Sequence, residues 1–265
     1  MTKSEYLANS AKLLSINAII LFVANAFIFA GQFVPAIGEY GQKVSDYTFY
    51  IIFGLTFLAL NGESVGYKRH RDFKNRKFTR VLKYILLFTF LIRFINKPVE
   101  RFFLTVGGEG ATLVLAKVFL GFFNTFATYP FLFAMIALLY MLRDKNESLF
   151  YIEASTFLMG IVYAIYRSLY ISVVKYKLSS IGEVLTFVFS NDNVRSILLL
   201  LELFLFIIMC LVVRRHFNSR VLDEQDQKIK ERKNMLVAPK IYNTDHVGLD
   251  TLEDDFLLPV EAEEY

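Results

Sequence analysis

The sequence predicts an all-α protein: a polytopic transmembrane helix bundle of about six spans, a cytoplasmic juxtamembrane helix and a disordered C-terminal tail. Three observations lead there. The 265 residues are 55% hydrophobic, with 28 Phe, and the apolar residues come in long blocks. Lys and Arg crowd into alternate connections between those blocks, the pattern of cytoplasmic loops. One block, Leu149–Val174, carries Glu153, Thr156, Gly160, Tyr163, Arg167 and Tyr170 at spacings of 3, 4, 3, 4 and 3, a single stripe on a helix that is otherwise apolar. Such a helix turns its stripe to protein or water and its remainder to lipid. The domains read as 1–213 in the membrane, 214–236 as the juxtamembrane helix and 237–265 as the tail.

The first apolar segment, Leu13–Pro35, follows a polar start holding Lys3 and Lys12. A cleaved signal peptide is the competing reading, with Ala24-Asn25-Ala26 as its processing site. The apolar run continues to Val34, which favours a retained helix. Asn17, Asn25 and Gln32 share one face and suit helix–helix hydrogen bonding. Ala36–Asp46 reads as a short connection and Tyr47–Leu60 as the second span, the shortest of the six.

Lys68–Lys83 holds eight Lys and Arg residues against one acid, Asp72. Read as a loop, it sets the topology: this side is cytoplasmic, and both termini with it. The stretch also suits anionic lipid headgroups. Val81–Asn96 is the third span, with Arg93 near its far end. Pro98 should stop that helix and leave Lys97–Gly110 as an external loop, closed by a glycine-rich turn. Ala111–Leu142 is apolar for roughly 48 Å of helix, too long for one span and too short for two. One tilted span kinked near Pro130 answers that length. Lys117, Gly121, Asn124 and Thr128 form a second polar and small stripe along it.

Arg143–Glu147 is a charged turn, and Leu149–Val174 is the fifth span. In the external stretch that follows, Val184–Phe189 is apolar but suits the membrane surface, being too short to cross. Val194–Val213 is the sixth span, interrupted by Glu202 and anchored by Arg214 and Arg215. Tyr47, Tyr50, Tyr151 and Tyr170 take the interfacial places in a chain without Trp. The lone Cys210 excludes an intrachain disulfide.

Beyond the spans, Leu222, Ile229 and Leu236 repeat at seven residues on a charged helix. After Lys240 there is no further Lys or Arg, and acids dominate, which predicts disorder. Within that acid sits Asp254-Asp255-Phe256-Leu257-Leu258, a docking segment for a partner; Glu253 through Leu258 also fits an acidic dileucine sorting pattern.

An ionisable group inside a span is the default place to look for function. Equal depths bring Arg167 and Glu202 level, so the sequence predicts that they pair. Arg93 and Lys117 lie in the same half of the bundle, with Asn124, Tyr163 and Tyr170 as polar neighbours. Glu153 sits near the cytoplasmic end, where it can reach the membrane surface. His70, His216 and His246 lie outside the spans; no HExxH is present, nor any Ser–His arrangement, nor any paired acidic motif for Mg²⁺. Enzymatic chemistry therefore has no support in the sequence, and no cofactor or metal is implied. Two functions remain. The first is a non-catalytic accessory, scaffold or sensor subunit of the plasma membrane or bacterial inner membrane, docking membrane or cytoplasmic proteins through its tail, with no nucleic acid expected. The second is a small transporter or channel component with an outward-facing cationic cavity for a small anionic solute.

Overall fold

The computed structural model describes residues 2–142 and 147–237. Among them every regular element is a helix: α1 Lys3–Gly31, α2 Pro35–Arg69, α3 Phe73–Val106, α4 Ala111–Thr128, α5 Phe131–Leu142, α6 Glu147–Val174, α7 Glu183–Phe189 and α8 Asp192–Val237. Five are long and apolar enough to cross a membrane: α1, Tyr47–Arg69 of α2, α4, Leu149–Val174 of α6 and Asp192–Arg232 of α8. The protein is an α-helical membrane bundle. The chain divides into two compact units, Met1–Asp223 and Glu224–Tyr265. In the second, the described residues are helical and Ile229 is exposed. The segment Asp254–Leu258 lies outside the described residues, as does most of the Arg143–Glu147 turn.

The ends of α1 and α3 are set by local capping. Thr2 and Glu5 form a capping box at the start of α1: the Glu5 amide donates to Thr2 Oγ1, and the Thr2 amide donates to Glu5 Oε2. Asp72 caps α3 by accepting from the Asn75 amide, and Lys3 Nζ meets its other oxygen at 2.8 Å. Burial works against charge on Asp72, yet the Lys3 ammonium and the Asn75 donors outweigh it and hold the carboxyl below the usual Asp range.

Three boundaries differ from those the sequence suggests. The connection expected at Ala36–Asp46 is helical, because Pro35 stands in the first turn of α2, where its fixed φ and missing N–H do no harm. The basic stretch Lys68–Lys83 is two helix ends rather than a loop. Only residues 70–72 form the turn, with Arg71 at φ 56°. The third correction is Pro98. It lies inside α3, which continues to Val106. A proline removes one helical hydrogen bond, but contacts beyond it keep the last turns wound. Lys175 Nζ reaches Glu100 at 2.7 Å, and the Phe103 and Phe119 rings lie 4.6 Å apart. With its charged ends, α3 is not among the five apolar helices, although its middle exposes Tyr84, Phe88, Leu91 and Phe94.

The long apolar block breaks completely at Tyr129–Pro130. Proline pushes the residue before it out of the helical region, and Tyr129 sits at φ −118°, ψ 67°. The halves do different work. α4 packs on α6 where Gly121 meets Ser168 and Ser172; any side chain at 121 would run into the Ser168 backbone carbonyl. α5 is the centre of the core. Phe131, Ala134, Met135, Leu138 and Met141 join residues of α1, α2, α6 and α8, while Phe133 and Ala137 join Leu60, Leu82 and Leu86 of α2 and α3. The Phe131 and Phe206 rings meet at 4.3 Å. α1 and α2 close on each other through small residues: a Cβ at Gly66 would stand 2.7 Å from Tyr6 Cβ.

The α6 stripe is the inward face. Glu153, Thr156, Gly160, Tyr163 and Tyr170 are buried, while Phe150, Tyr151, Leu158, Val162 and Ile165 are exposed. α7 presents Val184 and Phe187 outward. It is tied down by the Tyr166 hydroxyl, which lies within hydrogen-bonding distance of the Val188 and Asn191 carbonyls.

Candidate functional site

The break between α4 and α5 opens a cavity of about 210 Å³. Thr128 and Tyr129 form its floor with Pro130 and Phe131. Arg167 enters from α6, Arg93 from α3, Asn25 from α1 and Thr48 from α2. Much of the remaining wall is apolar: Leu21, Ile28, Phe49, Ile52 and Leu199.

The two arginines are held in different ways. Arg93 stacks its guanidinium on the Phe49 ring, 3.8 Å from the centroid, with Tyr50 at 5.6 Å. Stacking uses the face of the guanidinium and leaves its in-plane donors for something else. Arg167 donates from Nη1 to the Tyr163 hydroxyl (3.1 Å) and from Nη2 to Thr128 Oγ1 (3.0 Å). A guanidinium has five N–H donors. Both partners of Arg167 are neutral, and its buried Nε has none. Among the described residues no carboxylate forms an ion pair with either arginine.

The expected Arg167–Glu202 pair is not formed. Glu202 is fully buried, and neither carboxyl oxygen has a hydrogen-bond partner among the described residues. Its Oε1 lies against Gly160: a Cβ there would stand 3.0 Å from it and 2.5 Å from Met135 Cε. The expectation rested on equal depth along antiparallel helices, which does not by itself make two side chains meet. Tyr129 is within electrostatic reach of Glu202, Tyr163 and Arg167; its ring centroid is 5.2 Å from that of Tyr163, and its own hydroxyl has no partner among the described residues.

The other candidates lie elsewhere. Asn124 joins Asn96 (2.9 Å) and the Tyr176 hydroxyl (2.6 Å). Lys117 reaches the Lys177 carbonyl at 3.2 Å. Tyr170 donates to Asp192, and Arg195 lies over its ring and pairs with Asp192. Of the seven residues singled out in the spans, Arg93 and Arg167 line the cavity, Tyr163 and Glu202 back it, and Lys117, Asn124 and Tyr170 belong to other contacts. Glu153 does not reach the surface: only 6% of it is exposed.

Sequence reasoning missed Tyr129 and Glu63. Tyr129 has a signal, its place before Pro130. Glu63, on α2 and 2% exposed, has none beyond its charge in an apolar neighbourhood. Comparison of the chain with protein-family models, with curated proteins and with solved structures gave no match.

Proposed function

We propose that this membrane protein is a small transporter or channel component that takes a small anion into the cavity between Arg93 and Arg167. The single observation that carries the reading is that both guanidiniums line one cavity and that, among the described residues, no carboxylate is paired to either. A charge held inside a bundle without a counter-charge is costly. Here neutral hydroxyls and a ring face support the two cations, while donors remain free on the cavity side. An anion entering that space completes them. Arg167 lines the cavity and keeps N–H donors beyond the two it uses on Tyr163 and Thr128, and a guanidinium is the group that matches a carboxylate or phosphate edge. By the distribution of Lys and Arg, the end carrying Lys68–Lys83 faces the cytoplasm; the residues that line the cavity, such as Asn25, Thr48 and Arg93, lie toward the other ends of their helices.

The reading as an accessory subunit rests on the tail, Asp254, Asp255, Phe256, Leu257 and Leu258, and one experiment separates the two. Purified protein is reconstituted in proteoliposomes and the uptake of labelled small anions is measured for the parent, for Arg167→Ala and for a truncation after Lys240. Transport through the cavity predicts uptake that survives truncation and is abolished by Arg167→Ala. Uptake that ignores Arg167, or is absent from the parent, removes the proposal.

A further inference from the structure

We infer that the ligand of this cavity is a small organic dianion with an acidic group at each end, one end on Arg93 and the other on Arg167. The inference rests on the anion reading above and narrows it to a substrate class. Three observations support it. The first is charge: the described cavity wall holds two guanidiniums and no acid, so one monoanion leaves a cation uncompensated. The second is placement. Arg93 belongs to α3 and is braced by Phe49 of α2; Arg167 belongs to α6 and is braced by Tyr163 and by Thr128 of α4. α3 packs on α2 and α6 on α7, and the two share α4 and α5, so the two cations come from different helices, each with its own bracing groups. The third is the lining. Leu21, Ala24, Ile28, Ile52 and Leu199 contribute no hydrogen-bonding side chain. A compact inorganic anion leaves that surface against water, and a short hydrocarbon spacer covers it. The volume, about 210 Å³, equals about seven water volumes at ~30 Å³ each, enough for a short dicarboxylate chain.

The test is equilibrium binding to the purified full-length chain in detergent, with succinate, butyrate and inorganic phosphate as probes. Succinate should bind about tenfold or more tighter than butyrate, the effect of one further charge-assisted contact. Arg93→Gln and Arg167→Gln should each erase that gap. Arg93→Lys and Arg167→Lys, which keep the charge, should retain part of it. Equal binding of succinate and butyrate overturns the dianion inference and leaves the anion site standing. Tighter binding of phosphate than of succinate does the same. If none of the three binds, the cavity reading falls with it. The comparison of the three probes on the parent protein decides the matter even where a variant fails to fold.

Discussion

Two polar clusters lie within the same bundle and are built on opposite principles. One joins α3, α4 and the chain after α6. Asn96 Nδ2 donates to Asn124 Oδ1, Asn124 Nδ2 donates to the Tyr176 hydroxyl, and Lys175 reaches both that hydroxyl and Glu100. Most polar groups there are paired, and among the described residues the acceptor Asn96 Oδ1 is left over. The other surrounds the α4–α5 break. There, among the described residues, Arg167 Nε, the Tyr129 hydroxyl and both Glu202 oxygens lack partners, and no carboxylate pairs with either arginine. A satisfied network contributes stability and register. An unsatisfied one costs stability, so its persistence at a cavity points to a ligand.

The contrast can be broken or sharpened by substitution, beginning with the framework that holds both clusters. Gly121→Val places a branched side chain against the Ser168 carbonyl and Ser172, atoms of a packed helix that have nowhere to go. The expected loss is about 3 kcal/mol or more, read as lost folded yield and a lower melting temperature. Preserved yield and melting would mean that α4 and α6 are not in such close contact. Next comes the satisfied cluster. Asn124→Leu strips partners from Asn96 and Tyr176 and should cost about 1–3 kcal/mol, leaving anion binding unchanged. Arg93→Met removes a cation resting on a ring, worth about 0.5–1 kcal/mol to stability, yet should abolish preferential dianion binding. A variant with large destabilisation and intact binding would reverse the roles assigned to the two clusters.

The smallest effect concerns a third place, the cap at Asp72. Its carboxyl is held below the usual range, so its contribution is complete above the ordinary Asp pKa of about 4 and is lost as pH falls through the lower folded value. Asp72→Ala should cost about 1 kcal/mol at neutral pH. It should cost progressively less in acid, which melting curves from pH 7 to pH 3 will show. A cost that does not change with pH would remove the ion-pair part of the explanation.

Much of the fold could be read because a membrane enforces long apolar runs. The α6 stripe emerged from helical spacing alone, and all of it but Arg167, which lines the cavity, is buried. Pro130 marked the break, although the chain separates into two helices there rather than bending. Pro98 misled, since the contacts that keep α3 wound beyond it, Glu100 with Lys175 and Phe103 with Phe119, come from distant segments. The site was half legible. Arg93 and Arg167 stand out as charges inside apolar runs. Depth along a helix fixes only one coordinate, however. It could not show that Glu202 lies against Gly160, or that Tyr129 comes within electrostatic reach of both Glu202 and Arg167.

The most direct test compares melting temperatures of Arg167→Met and Asn124→Leu in detergent, each with and without succinate. If unsatisfied polar groups serve the ligand and satisfied ones serve the fold, Arg167→Met melts close to the parent and gains nothing from succinate. Asn124→Leu melts well below the parent and still gains as the parent does. The opposite pattern, a large loss in Arg167→Met with its response to succinate intact, would contradict the account at its centre.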